Sequence, residues 1–175
     1  MIDRKKRNEN IMYACADVFY EKGIEKATMR NFSEAIGYSP ATIYQSYKDK
    51  RSIVENCLYF CVEKRNAMVS DILIANKENP GNLLAAMKAQ KDDLIKWSTI
   101  ILRIITSPYY EDMKGSVIDM GADSNEVYEK DYDAEVMVLF SLYFSAIIRF
   151  SMDGNAAVLE KEEAYLERQM ASIVK

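Results

Sequence analysis

Apolar side chains recur along this chain at intervals of three and four residues, and strand-like alternation never lasts beyond a few positions. The spacing predicts an all-α protein. A first helix runs from about Lys5 to Glu21, with Ile11, Cys15, Val18 and Phe19 on one face and Gly23 as its stop. Thr28 can cap a short second helix, whose stripe is Met29, Phe32 and Ile36 and whose end is Gly37. Ser39 followed by Pro40 is a start signal: a hydroxyl N-cap, then a residue whose missing N–H costs nothing at the first helical position. The third helix therefore runs from about Pro40 to Tyr47. Asp49 can cap a long fourth helix with apolar positions from Ile53 to Ile72. Asn79-Pro80-Gly81 is the clearest break in the chain. Beyond it Leu83, Leu84, Met87, Leu94, Ile95, Ile101, Leu102 and Ile105 define another long helix, ended by Ser107-Pro108. Residues 109–131 read as loops around one short helix. Asp133 to Ser151 is apolar nearly all round, the mark of a helix buried on most sides, and Asp153-Gly154-Asn155 turns the chain into a last helix from Ala156 to Val174.

Composition narrows the function. With 175 residues, 49% hydrophobic and 29% charged, the chain is a folded protein and not a disordered one. It contains no His, which excludes imidazole metal sites, Ser-His-Asp and Cys-His nucleophile systems and His general bases. There is no CxxC pair, GxGxxG loop or P-loop, and carboxylates such as Asp92, Asp93, Glu111 and Asp112 read as solvated surface. No enzymatic activity and no cofactor or metal are expected. Three cysteines, Cys15, Cys57 and Cys61, imply a reduced, cytoplasmic protein. Met1 to Asn10 lacks the apolar core of a signal peptide. The best membrane candidate, Val136 to Phe150, is too short and holds Ser141, Ser145 and Arg149, so no membrane partner is expected. Charge is uneven: residues 1–65 carry 12 Lys/Arg against 9 Asp/Glu, whereas residues 66–175 carry 11 against 18. A basic head on an acidic body suits an anionic partner for the head, although scattered solvated charges would give the same totals.

Two short helices joined by Gly37-Tyr38-Ser39 and preceded by a packing helix have the dimensions of a helix-turn-helix, whose second short helix enters the major groove of DNA. A plain αα corner has the same dimensions. Ile43 can face the core while Pro40, Thr42, Tyr44, Gln45, Ser46 and Lys48 project outward, and no acidic residue occurs from Ser39 through Lys48.

Ile11, Ala14, Phe19, Gly23, Thr28, Gly37, Ser39, Thr42, Ile43, Tyr44, Tyr47, Lys50 and Ile53 match, in type and spacing, the N-terminal signature of the TetR/AcrR family of bacterial repressors. The run from Gly37 to Tyr44 resembles that family's turn and recognition helix closely. Departures are Phe32-Ser33 where the family usually has Ile-Ala, Ala41 where it has Gly, and Tyr47 where it has Phe. The resemblance implies a DNA-binding domain over residues 1–51 and a helical ligand-binding and dimerisation domain over residues 52–175. It also implies that Thr28 and Tyr44, with Tyr47 and Lys50, contact phosphates, that Thr42 and Gln45 read bases, and that Pro40 and Ala41 give close approach, beside Ser39, Ser46 and Lys48. Arg4 to Arg7 would add non-specific affinity for DNA, or fray in solvent.

No motif carries over to the second part of the chain. Met68, Trp97, Tyr109, Tyr110, Met113, Met137 and Phe140, with Met87, Met120, Tyr128, Tyr132 and Tyr143, are adaptable side chains suited to an apolar or aromatic effector, and equally to filling a core. Arg103, set among Ile100, Ile101, Leu102, Ile104 and Ile105, is expected to find an anion, either an internal carboxylate or a ligand's carboxylate or phosphate, or else to lie on a solvated helix edge; Arg149 has the same ambiguity. The apolar Val136 to Phe150, with a last-helix stripe of Val158, Leu159, Tyr165, Leu166, Met170 and Ile173, predicts a homodimer through the last two helices. The expected function is a TetR-type repressor that binds a palindromic operator in double-stranded DNA and is released by a small molecule. The alternative is a dimeric helical interaction protein without specific DNA binding.

Overall fold

A computed structural model describes residues 4–113 and 134–173, and among these residues there is no strand. The helices are α1 (Arg4–Lys22), α2 (Met29–Ile36), α3 (Pro40–Tyr44), α4 (Lys50–Asn76), α5 (Leu83–Ala89), α6 (Lys91–Ile105), α7 (Ala134–Asp153) and α8 (Ala156–Ile173). Single 3-10 turns lie at Pro80–Asn82 and Glu111–Met113. The described chain divides into two compact units, residues 4–63 with 100–113 and residues 64–99 with 134–173. The segment 1–51, expected from sequence to be the DNA-binding domain, lies in the first unit as far as it is described, together with the start of α4 and the end of α6.

In the first unit the stripe of α1 packs on α2, with Phe19 and Phe32 both fully buried and their rings edge to face at 5.3 Å. Offset T-shaped pairs of this kind add to the burial of two large rings. Ile43 of α3 and Ile53, Val54, Cys57 and Leu58 of α4 complete the core. Tyr13 stacks edge to face on Phe60 at 4.8 Å. Three thiols sit inside this core: Cys15, Cys57 and Cys61 are all free and buried, with 3.8 Å between the sulfurs of Cys57 and Cys61.

In the second unit α7 packs along α8, and Tyr143, Ala146 and Ile147 of α7 meet Leu159 and Leu166 of α8 and Leu83, Leu84 and Met87 of α5. A carboxylate is buried here with its partners. Glu163 accepts a hydrogen bond from the fully buried Tyr143 hydroxyl at 3.0 Å and faces Lys91 Nζ at 3.2 Å and Lys88 Nζ at 3.9 Å. Paired in this way, it escapes the cost of an isolated buried charge. Burial and the bond to Glu163 together push the Tyr143 phenol upward.

Two expected helices end elsewhere. The one expected from Leu83 to Ile105 is two helices, broken at Gln90, whose backbone leaves the α region at φ −110° and ψ 15°. Between Met87 and Leu94 the chain reads Lys-Ala-Gln-Lys-Asp-Asp, with no large apolar side chain to hold a continuous stripe, and Asp92 and Asp93 favour a new N-terminus. The third helix ends at Tyr44, not Tyr47: the Ser46 N–H bonds the Ile43 carbonyl three residues back, the tighter step of a helix end. The short helix expected within 109–131 lies outside the described residues beyond the turn at Glu111–Met113.

Burial pushes the Cys15 thiol up from an ordinary 9.0 to about 12. The folded state then keeps its proton where the unfolded chain loses it, so this contribution to stability is intact below pH 9 and is lost as pH rises toward about 12. Urea unfolding at pH 8 and pH 10 checks this. Wild type is expected to lose about 1 kcal/mol more between the two than Cys15→Ala does.

Candidate nucleic-acid interface

The interface is built on a turn closed from both sides. Thr28 forms a reciprocal cap on α2: its Oγ1 accepts from the Asn31 N–H at 3.2 Å, and Asn31 Oδ1 accepts from the Thr28 N–H at 3.1 Å. Gly37 ends the helix at φ +73°, a left-handed conformation that costs an L side chain about 1–2 kcal/mol, and its N–H bonds the Ser33 carbonyl at 3.0 Å. The Ser33 hydroxyl donates to the Tyr38 carbonyl across the turn. Ser39 then starts α3, its Oγ accepting from the Thr42 N–H at 3.2 Å and lying 2.9 Å from Thr42 Oγ1. Pro40 occupies the first turn, as its missing N–H allows.

This geometry turns Ile43 inward, fully buried, and leaves Ser39, Pro40, Ala41, Tyr44, Gln45 and Lys48 exposed, with Thr42 and Ser46 half-buried. Tyr44 is 50% exposed. Thr28 is exposed at the start of α2. Two of the residues expected here are less exposed. Tyr47 is only 7% exposed, and burial with the nearby thiols of Cys15 and Cys57 pushes its phenol upward. Lys50 gives its ammonium to the Glu25 carbonyl at 2.9 Å and lies 5.6 Å from the Tyr109 ring, and burial holds it below the ordinary lysine range. Arg4, Lys5 and Lys6 are exposed on the first turn of α1.

Sequence reasoning missed three polar residues that hold this face. Asn8 accepts from the Ser46 hydroxyl at 3.0 Å and ties the start of α1 to the segment after α3. Asn31 completes the cap on α2, and the Thr-x-x-Asn spacing could have revealed it. Ser33, a departure from the family pattern, spans the turn. Asn8 left no signal, because its partner is 38 residues away.

The residues expected to bind a small molecule are divided between the units. Met68, Trp97 and Phe140 belong to the second, where Trp97 is buried and Met68 and Phe140 pack against the core. Tyr109, Tyr110, Met113 and Arg103 belong to the first. The Met137 side chain, Met120, Tyr128 and Tyr132 lie outside the described residues. Arg103 Nη1 donates to the Phe19 carbonyl at 3.0 Å and to the Tyr20 carbonyl, with the guanidinium 5.9 Å from the Tyr20 ring. Its polar partner is thus the C-terminal end of α1, where a cation is favoured. Arg149 faces Glu162 at 3.6 Å.

A capped helix, a left-handed glycine turn and a short second helix with an exposed polar face define a helix-turn-helix head. Residues 11–57 match the family described as bacterial regulatory proteins, tetR family. No curated protein matches the chain in sequence. Solved structures match nearly its whole length. One is a protein of Mesorhizobium loti described as a TetR-family transcriptional regulator, with 15% identity over 97% of this chain and 98% of that one and a TM-score of 0.64. Another is a transcriptional regulator from Rhodococcus sp., with 19% identity over 95% of each chain and a TM-score of 0.61. A third is the TetR family transcriptional regulator PfmR from Thermus thermophilus, with 20% identity over 97% and 98% and a TM-score of 0.54. Residues 11–57 of this chain are thus similar to the tetR family, and the chain as a whole has the fold of TetR-type transcriptional regulators.

Replacing Thr28 by Ala removes the side-chain half of the α2 cap, the Oγ1 acceptor for the Asn31 N–H, and keeps the backbone half, the residue-28 N–H donating to Asn31 Oδ1. Chemical denaturation of Thr28→Ala should show a loss of about 1 kcal/mol, with Thr28→Ser close to wild type.

Proposed function

We propose that the protein is a homodimeric repressor that holds a palindromic operator through the exposed face of α3 and leaves it when a small apolar or aromatic molecule binds the second unit. The observation that carries this reading is the acid-free surface from Ser39 to Lys48, on which small residues, a tyrosine, an amide and a lysine are exposed together over a buried Ile43. Gln45 suits bidentate recognition of adenine, and the Thr42 methyl suits thymine. Tyr44, Thr28 and Lys48 suit phosphates, and the basic first turn of α1 adds charge on the same partner. Tyr47 and Lys50 would support this face through their packing and hydrogen bonding.

Dimerisation is supported by an apolar stripe left on α7. Val138 at 57%, Leu142 at 45% and Met152 at 73% are exposed there, as are the small Ser141 and Ser145, and Tyr165 of α8 is 44% exposed. A second copy covering that stripe would set two recognition helices about 34–36 Å apart, one turn of DNA. The effector would be held among side chains such as Met68, Trp97 and Phe140 of the second unit, and it would act by preferring a conformation that does not fit DNA. Among the described residues no helix is long and apolar enough to cross a membrane.

Random-site selection followed by gel shift tests the reading. A palindrome should be enriched, its affinity should fall steeply with salt, and Gln45→Ala should cost about 1–3 kcal/mol at one base position per half-site. Failure to enrich any palindrome overturns operator binding, and a flat salt response favours a helical interaction protein in its place.

A further inference from the structure

Arg103 uses only part of its donor capacity. Both of its hydrogen bonds to the end of α1 leave from Nη1, and the Nε–Nη2 edge of the guanidinium makes no hydrogen bond among the described residues. That edge is the fork that matches a carboxylate with two parallel bonds. Arg103 lines an open cleft of about 370 Å³ within the first unit, between the end of α6 and the turn that joins α1 to α2. The volume is at the small end of the range for ligand sites.

Charge along the cleft limits what can enter. Lys22, Lys26 and Arg103 bring three positive charges and Glu21 and Glu25 two negative ones, a balance that suits a single anionic group and disfavours a dianion. Thr106 and Ser107 also line it, but their hydroxyl protons are spent on the Leu102 and Ile104 carbonyls at 2.8 and 2.6 Å. An incoming anion is therefore left to the guanidinium and the ammonium groups. Ile24, buried beside the cleft, supplies an apolar wall.

We infer that this cleft binds a small monocarboxylate, held by the free edge of Arg103 while Nη1 keeps α1 in place. The occupant would touch the turn from Gly23 to Lys26, immediately before the Thr28 cap, and so would bear on the head from within the first unit. The site is distinct from any effector site in the second unit, and its occupancy is read on the protein alone, without DNA.

Titration of the full chain with benzoate, followed by ¹H–¹⁵N correlation spectra, tests the inference, with benzamide as the neutral isostere and sodium chloride at matched ionic strength. Saturable shifts are expected at the amides of residues 22–26 and 103–107 and at the Arg103 Nε–Hε resonance, with benzamide silent. Arg103→Lys keeps a cation for the α1 carbonyls but lacks the fork, and it should bind benzoate about tenfold more weakly. Equal shifts from benzamide or from chloride, shifts confined to other residues, or an unmoved Arg103 Nε–Hε resonance would overturn the site. That resonance is read in wild type and decides the matter even where the variant folds poorly.

Discussion

A helix of five residues cannot hold itself together in water, because the cost of nucleation is spread over too few hydrogen bonds. The exposed face of α3 depends on that constraint, and most of the first unit answers it. Ser39 supplies the first bond, Pro40 arrives with its φ already set, and Ile43 anchors the helix in the core. Gly37 turns the chain at a positive φ, and Ser33 and Asn8 tie the segments on either side of α3 to their neighbours. The polar side chains of the face are then held in place by groups they do not themselves supply.

The same core explains chemistry that the chain does not display. Its three cysteines are buried, and Cys15 and Cys57 are both held in the thiol form, Cys57 by its contact with Cys61 and by burial. Thiols kept protonated and away from solvent are poor nucleophiles and act as small apolar side chains. In the second unit the buried carboxylate of Glu163 is balanced by Lys91, Lys88 and Tyr143 from three other helices.

Arg103 shows how a polar group in an apolar helix is resolved. It lies at an exposed position of α6 and bonds the carbonyl end of α1, 83 and 84 residues away in sequence. No spacing rule reaches across such a distance. The split of the aromatic and methionine residues between two units has the same origin: Trp97 and Tyr109 stand close together in the chain, yet α6 passes from one unit to the other between them.

The sequence by itself determined the helical class, the caps at Thr28, Ser39 and Asp49, the turn at Gly37 and the inward direction of Ile43, because each depends on residues within one or two helical turns. Its likeness to a known head then pointed to DNA. Only the tertiary structure decided that Tyr47 is buried, that Lys50 bonds the Glu25 carbonyl and that Asn8 holds Ser46. Those outcomes depend on which distant side chain or carbonyl lies within about 3 Å, and the distance between segments far apart in the chain is set by packing, not by local pattern.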